Sequence, residues 1–476
     1  MKKTLVSGLV AASFSLTAGI GAVQAKAPDA EAAKLGGELT AVGAIKAGNA
    51  DGSIPEWKGG ALFPQETKDF TYDYLENMRK EDPAKIEAEI KKFTKGNEQW
   101  LEPVVEITKA NLAEHADMLT AGHKAMFDKY ADYKIKVYPS VRVAFFPDEV
   151  NAATIANAKT ATLEGTESVK NAKLGFPFPI PQSGAEPMWN HKMKFRGSAA
   201  IRYNNQAIVK PDGDYKISKL VEDVLFRYAN LEESEGADSK ELLMYLQEVK
   251  EPPRVAGQMI LVHEYLQAGE GEGGRAAWLY NPGLGRVNRA PNVGYDNPSI
   301  GSDGEQFNDQ IDMFNGALDR YDWKLVGRKE MYIPYNSFEI NSPLHKYDDL
   351  IKPGHVNMDL ARFEKHRVWV VDATVKDGVR HQFKRRTFYL DEDSWSVAAV
   401  DCYDNRDQLW KLQEAHLLTV PFVPTTTGSP ELVYDLQSGR YFATAMTNED
   451  TLSNWEVSFK SSDFSPGALK RKSKGK

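Results

Sequence analysis

HRVWVVDATVK (366–376), DG (377–378), VRHQFKRRTFYL (379–390), DEDS (391–394), WSVAAVDCY (395–403), DNRD (404–407) and QLWKLQEAHLL (408–418) read as four strands and three turns. Branched and aromatic residues dominate each run, and the breaks are built from Asp, Asn, Gly, Ser, Glu and Arg, mostly residues that suit turn geometry. Asp377-Gly378 fits a two-residue hairpin turn, because Asp-Gly readily takes the positive φ needed there. The spacing therefore predicts a four-strand antiparallel meander in sequential order, joining His366–Lys376 to Val379–Leu390 and onward. Trp369, Val371, Ala373 and Val375 fall on one face of the first strand, Val368 and Val370 on the other. A half-solvated sheet alternates more cleanly. One face is thus expected to meet covering helices and the other to line a concave apolar space, with a closed two-layer sandwich as the competing arrangement.

Upstream of the meander, from about residue 200, strand and turn signals dominate. Met259–Leu266 is a strand, Gly269–Gly274 a loose hairpin connection, and Ala276–Tyr280 the returning strand. The glycines there do not make a phosphate loop, because the segment is acidic and leads into a strand, not a helix N-terminus. In Asp303–Tyr321, Phe307, Ile311, Phe314 and Leu318 fall on one helical face at spacings of four, three and four, which predicts a lid-like helix. Further upstream, helical composition takes over: Tyr72–Lys95 with a break at Pro83, Thr108–Tyr130, and the alanine-rich Asn151–Leu163. His115 and His123 stand eight apart, not at the four-residue spacing of metal ligands, and are expected to be solvated or at the core edge. Asn49-Ala50-Asp51-Gly52 is a turn; no acidic residue closes a calcium loop. Gly175–Pro181 alternates prolines and must be extended, either packing on the core or docking a partner. Met188–Gly197 follows, aromatic and basic together.

The chain has 476 residues, a net charge of -8 and ordinary hydrophobic content of 42%. It is long enough to bury a large core, and its acidity disfavours general binding to nucleic acid. Residues 1–25 resemble a secretory leader: Lys2 and Lys3, an apolar stretch from Leu5 to Ile20, then a small-x-small site at Val23-Gln24-Ala25. No cysteine follows to carry a lipid. The lone Cys402 is read as a buried inert thiol. The terminal Lys470–Lys476 run, with five cations, is expected to be disordered.

No catalytic constellation emerges. Arg196-Gly197-Ser198-Ala199-Ala200 lacks the second glycine of a nucleophile elbow, and His263-Glu264 has no second histidine three residues beyond. With 67 acidic residues, a carboxylate pair formed in space stays open.

AAKLGGELTAVGA (32–44) with AGNADGSIPEW (47–57), WLYNPGLGRVNR (278–289) and KRRTFYLD (384–391) resemble a periplasmic family of unknown function, the one numbered thirteen-twenty-nine, over nearly the whole mature chain. That family is similar to outer-membrane lipoprotein-sorting (lipoprotein localisation factor-like) proteins. The resemblance implies an unclosed antiparallel β-barrel with a helical lid, in a chain longer than a typical lipoprotein carrier. It also implies periplasmic carriage of a lipid or hydrophobic small molecule between an inner-membrane exporter of the resistance-nodulation-division type and an outer-membrane partner protein.

The expectation is an α+β, β-rich protein. It comprises a signal peptide (1–25), a mostly helical extension packing on the sheet (26–135), a large curved antiparallel sheet or open half-barrel (136–468) with a lid helix near 303–321, and a basic tail (469–476). Its function is expected to be binding of a hydrophobic ligand without cofactor or metal; an envelope glycan or lipid enzyme and a ligand-free scaffold are the alternatives. Trp278, Tyr280, Trp369, Val371, Phe388 and Trp410 on strands, with Phe307, Ile311 and Phe314 on the lid, are the candidate ligand surface.

Overall fold

The computed structural model describes residues 26–231, 240–267, 274–291 and 293–475. The leader-like residues 1–25 and most of the Gly269–Gly274 connection lie outside the described residues. In chain order the strands are β1 (Val105–Ile107), β2 (Ile135–Tyr138), β3 (Thr162–Glu164), β4 (Ser168–Lys170), β5 (Ala199–Val209), β6 (Tyr215–Phe226), β7 (Glu241–Glu251), β8 (Met259–Tyr265), β9 (Arg275–Asn281), β10 (Arg286–Ala290), β11 (Tyr321–Pro334), β12 (Phe363–Val375), β13 (Arg385–Asp391), β14 (Val397–Tyr403), β15 (Leu409–Val420), β16 (Thr425–Asp435) and β17 (Tyr441–Met446).

All but β3 and β4 join one open sheet in the order β1-β2-β12-β13-β14-β15-β16-β17-β5-β6-β7-β8-β9-β10, with β11 paired along β12. The pairing is antiparallel except where β2 meets the first two residues of β12. The fold is thus a β-rich α+β fold built on a large unclosed sheet. The expected meander is β12 to β15 in sequential order, continued by β16 and β17. A central core cluster packs Val371, Phe388, Val400 and Phe314 with the apolar residues of the helix Ala185–Met193.

Four local expectations change. The two-residue turn at Asp377-Gly378 is a reversal inside a longer connection. Gly378 has φ 77 and Val379 N–H donates to the Lys376 carbonyl, but the ladder ends at Thr374↔Arg385. Residues 379–384 leave the strand because Phe383 is drawn into the core against Phe307 and Trp410, and His381 reaches Asp309 at 2.9 Å. The lid helix over 303–321 is absent: only Asn308–Gln310 makes a 3-10 turn. Asp303, Asp312 and Met313 stand at φ 52, 52 and 62, which ends a right-handed helix whatever the apolar spacing. The basic tail is not disordered. Pro466–Lys472 is a helix capped by Ser465, with Leu469 fully buried and Lys472 paired to Asp223. His123 is not at an edge either; it is fully buried, 2.8 Å from Glu414.

The N-terminal extension packs on this sheet through short helices. The helix Ala121–Lys129 begins on Asp401, whose carboxylate accepts from Ala121 N–H and Gly122 N–H at 2.9 and 2.8 Å. A negative charge suits a helix N-terminus. Only glycine fits at 122, since a Cβ would stand 2.6 Å from Leu412 Cδ1. The proline-alternating segment lies against the core, with Phe176 and Phe178 buried. Among the described residues no helix is long and apolar enough to cross a membrane.

Candidate functional site

Strand register decides which side chains face the cavity. Arg202 pairs with Glu222, Glu222 with Gln247 and Gln247 with Ile260, one row across β5 to β8. Two residues along, Val224, Tyr245 and Val262 form the next row; Phe226, Leu243, Glu264 and Arg275 form a third. Residues two apart share a face, so the three rows make one surface. That surface walls a cavity of about 370 Å3. The segment 293–315 covers it with Ile300, Ile311 and Phe314. Phe338, Leu418, Val420, Phe422 and Trp455 close it from the β15–β16 side, and Tyr72 and Leu75 of the helix Tyr72–Glu81 complete the wall. The lining surface is mainly apolar, although polar side chains are numerous and gather on its floor.

Three ion clusters build the floor and tie down the cover. Asp312, on the covering segment, meets Lys194 Nζ at 3.1 Å and Arg196 Nη1 at 2.6 Å. Burial pushes the Asp312 carboxyl up, but the two cations outweigh it and hold it well below the usual carboxylate range. Burial likewise pushes the His191 ring down to about 3. It stays neutral at neutral pH, and its Nε2 lies 2.7 Å from the Asp312 carbonyl. Second, Lys192 and Arg275 each stand 3.1 Å from Glu264. They also donate to the carbonyls of Gly316 and of Val293 and Asn315, so the cover is fastened at several points. Third, Arg202 Nη2 lies 2.6 Å from Glu222, whose other oxygen accepts from Asn204 and lies 2.7 Å from the Tyr245 hydroxyl. Glu431 joins this floor; burial, then the Asp312 charge, push it up to about 8.

Of the nine candidate residues, Ile311 and Phe314 line this cavity. Trp278 and Tyr280 pair with Leu261 and Met259. They therefore stand on the opposite face, packing with Phe464 and Leu469 under the C-terminal helix. Trp369 stacks on Trp395 at 5.9 Å beneath the Arg328 guanidinium. Val371 and Phe388 are fully buried in the central core, and Phe307 packs with Phe383 and Trp410 there. The floor residues Arg202, Glu222, Glu431 and Asp312 went unread because they are remote in sequence. The one available signal was the basic-aromatic run 188–197, which supplies Lys192, Lys194 and Arg196.

A second buried group, His366, Asp391 and Asp393, gathers ligand-type atoms within 4.8 Å of one another. Arg142 already engages both oxygens of Asp393 at 2.8 and 2.7 Å, and Arg328 and Arg367 approach neighbouring Glu392. Three guanidiniums at this place oppose a further cation, so the group reads as an ion network that fastens the N-terminal extension to the β13–β14 turn.

The profile of the family described as "Protein of unknown function (DUF1329)" matches residues 106–470. An uncharacterized protein of Pseudomonas aeruginosa is 41% identical over 473 residues, 99% of this chain and 98% of that one. Among solved structures, the chain is similar to a DUF1329 family protein of Desulfovibrio piger, with TM-score 0.40, 18% identity, and coverage of 57% of this chain and 91% of that one. It is also similar to a domain of Vibrio parahaemolyticus provisionally described as an outer membrane lipoprotein-sorting protein, with TM-score 0.42, 16% identity, and coverage of 60% and 98%.

Proposed function

This chain belongs to the DUF1329 family, and we propose that it is a binding protein that carries a hydrophobic molecule without chemical change. The observation that carries the reading is the cavity over the β5–β8 face, of about 370 Å3, whose lining surface is mainly apolar and includes Val224, Phe226, Leu243, Ile260 and Val262. That volume falls in the range of small-molecule sites, about 300–1,000 Å3. Each methylene moved there from water gains about 0.8 kcal/mol, so burying a ten-carbon chain supplies about 8 kcal/mol of driving force with no covalent step. In this reading the protein works in the periplasm, with residues 1–25 as its leader. It passes its ligand between an inner-membrane exporter of the resistance-nodulation-division type and an outer-membrane partner. The leader-like sequence supports the compartment, and the family resemblance supports the partnership.

The test is mass spectrometry of organic extracts of the protein purified gently from its own host. A stoichiometric hydrophobic compound absent from a mock purification is expected. Repeated recovery without any such compound would contradict carriage and favour an enzyme or a scaffold.

A further inference from the structure

We propose that the ligand is a long-chain carboxylate, its head held at Arg202 and Arg196 on the cavity floor and its chain laid along the apolar wall. The proposal rests on the hydrophobic-carrier reading and narrows it to one head-group chemistry.

The unspent donors carry the argument. Arg202 rises from the middle of a strand, yet its side chain keeps 34% exposure, and the space it faces is the cavity. Its Nη2 is committed to Glu222, and the buried Nε finds no hydrogen-bond partner among the described residues. Arg196 Nε is also without a hydrogen-bond partner among the described residues, while its Nη1 donates to Asp312 and its Nη2 to the Lys192 carbonyl; its guanidinium lies 5.0 Å from the Phe226 ring centre. A buried donor left unmade is costly, and the Arg202 guanidinium, committed only through Nη2 and set beside an apolar space, is a receptor for a planar anion, with Arg196 adding its unmade Nε.

Charge points the same way. Arg196 and Arg202 are permanent cations. Asp312 and Glu222 face them, and Lys194 adds a further amine at Asp312. Glu431, which shares the field of Arg202, is held protonated at neutral pH by burial and by Asp312, so it adds no third negative charge to those of Asp312 and Glu222. The surplus suits a singly charged head; a phosphate dianion would meet Asp312 and Glu222 at close range. The size of the cavity suits one chain.

Delipidated full-length mature protein is titrated with the fluorescent fatty acid cis-parinaric acid and with its methyl ester, which keeps the chain and loses the charge. The acid is expected to bind at least tenfold tighter. Dodecyl phosphate should displace it at least tenfold more weakly than dodecanoate does. In the double variant Arg202→Met/Glu222→Gln, which removes both members of the pair so that no charge is left buried alone, acid binding should fall to the level of the ester. Equal binding of acid and ester to the unaltered protein would overturn the head-group site while leaving the carrier reading intact; binding of neither would overturn both. Acid preference surviving in the double variant, or phosphate competing as well as carboxylate, would overturn the assignment.

Discussion

Glu431 shows what the cavity floor demands of a single residue. Its carboxyl has an ordinary value of 4.5 and is pushed up to about 8 in the fold by burial, then by Asp312. Between those values the unfolded chain has released the proton and the folded chain still holds it. The folded state binds more protons there, so this group lowers stability as pH rises from about 4.5 to about 8. Glu431→Gln removes the difference. Urea unfolding at pH 5, 6.5 and 8 should show the variant gaining on the unaltered protein with rising pH, by a few kcal/mol at pH 8. Parallel stability curves would show that Glu431 is ionised in the fold.

Among elements, the C-terminal helix Pro466–Lys472 covers the back of the cavity wall. Leu469 and Phe464 pack on Met244, Leu246, Met259 and Leu261 of β7 and β8, residues that alternate with those facing the cavity. Leu469→Ala should cost about 2–5 kcal/mol in chemical denaturation, as a fully buried leucine does. Lys472→Ala, removing a partly exposed ion pair with Asp223, should cost under about 1 kcal/mol. The reverse ranking would mean that charge, not packing, docks this helix. The tail could not be read from its cations alone, because Ala468 and Leu469 are its only apolar anchors and their partners lie some two hundred residues upstream. The meander was legible because its strands are neighbours in sequence and its breaks carry turn residues. The lid was misread because Phe307, Ile311, Phe314 and Leu318 repeat at helical spacing inside a segment whose backbone turns at Asp303, Asp312 and Met313. Their burial is real; the helix is not.

At the scale of the whole molecule, the cavity belongs to one half of the sheet and the densest core to the other. The strong aromatic signal of Trp369, Phe388 and Trp410 drew the expected ligand surface to the β12–β15 half. There Phe388 is fully buried in the central core, and the half-buried Trp369 and Trp410 pack against it. A strand buried on both faces and one lining a cavity have the same composition, so sequence pattern could not separate them. The floor was hidden for a different reason: it is assembled from β5, β6, the covering segment and β16, joined only by folding. The buried helix Ala185–Met193 shows no apolar stripe, since all nine residues are buried and Lys192 is satisfied by Glu264 across the structure.

The most direct measurement of the central claim is binding of the apolar fluorophore N-phenyl-1-naphthylamine to the unaltered protein and to Leu243→Trp. Leu243 is half-buried on the cavity wall, so a larger ring there can fill the space without entering the closed core. The account predicts saturable binding to the unaltered protein, at least tenfold weaker binding to the variant, and melting temperatures within about 3 °C of each other, the shift of a sub-kcal/mol change. Undiminished probe binding by a folded Leu243→Trp would contradict it, placing the hydrophobic site somewhere other than this cavity.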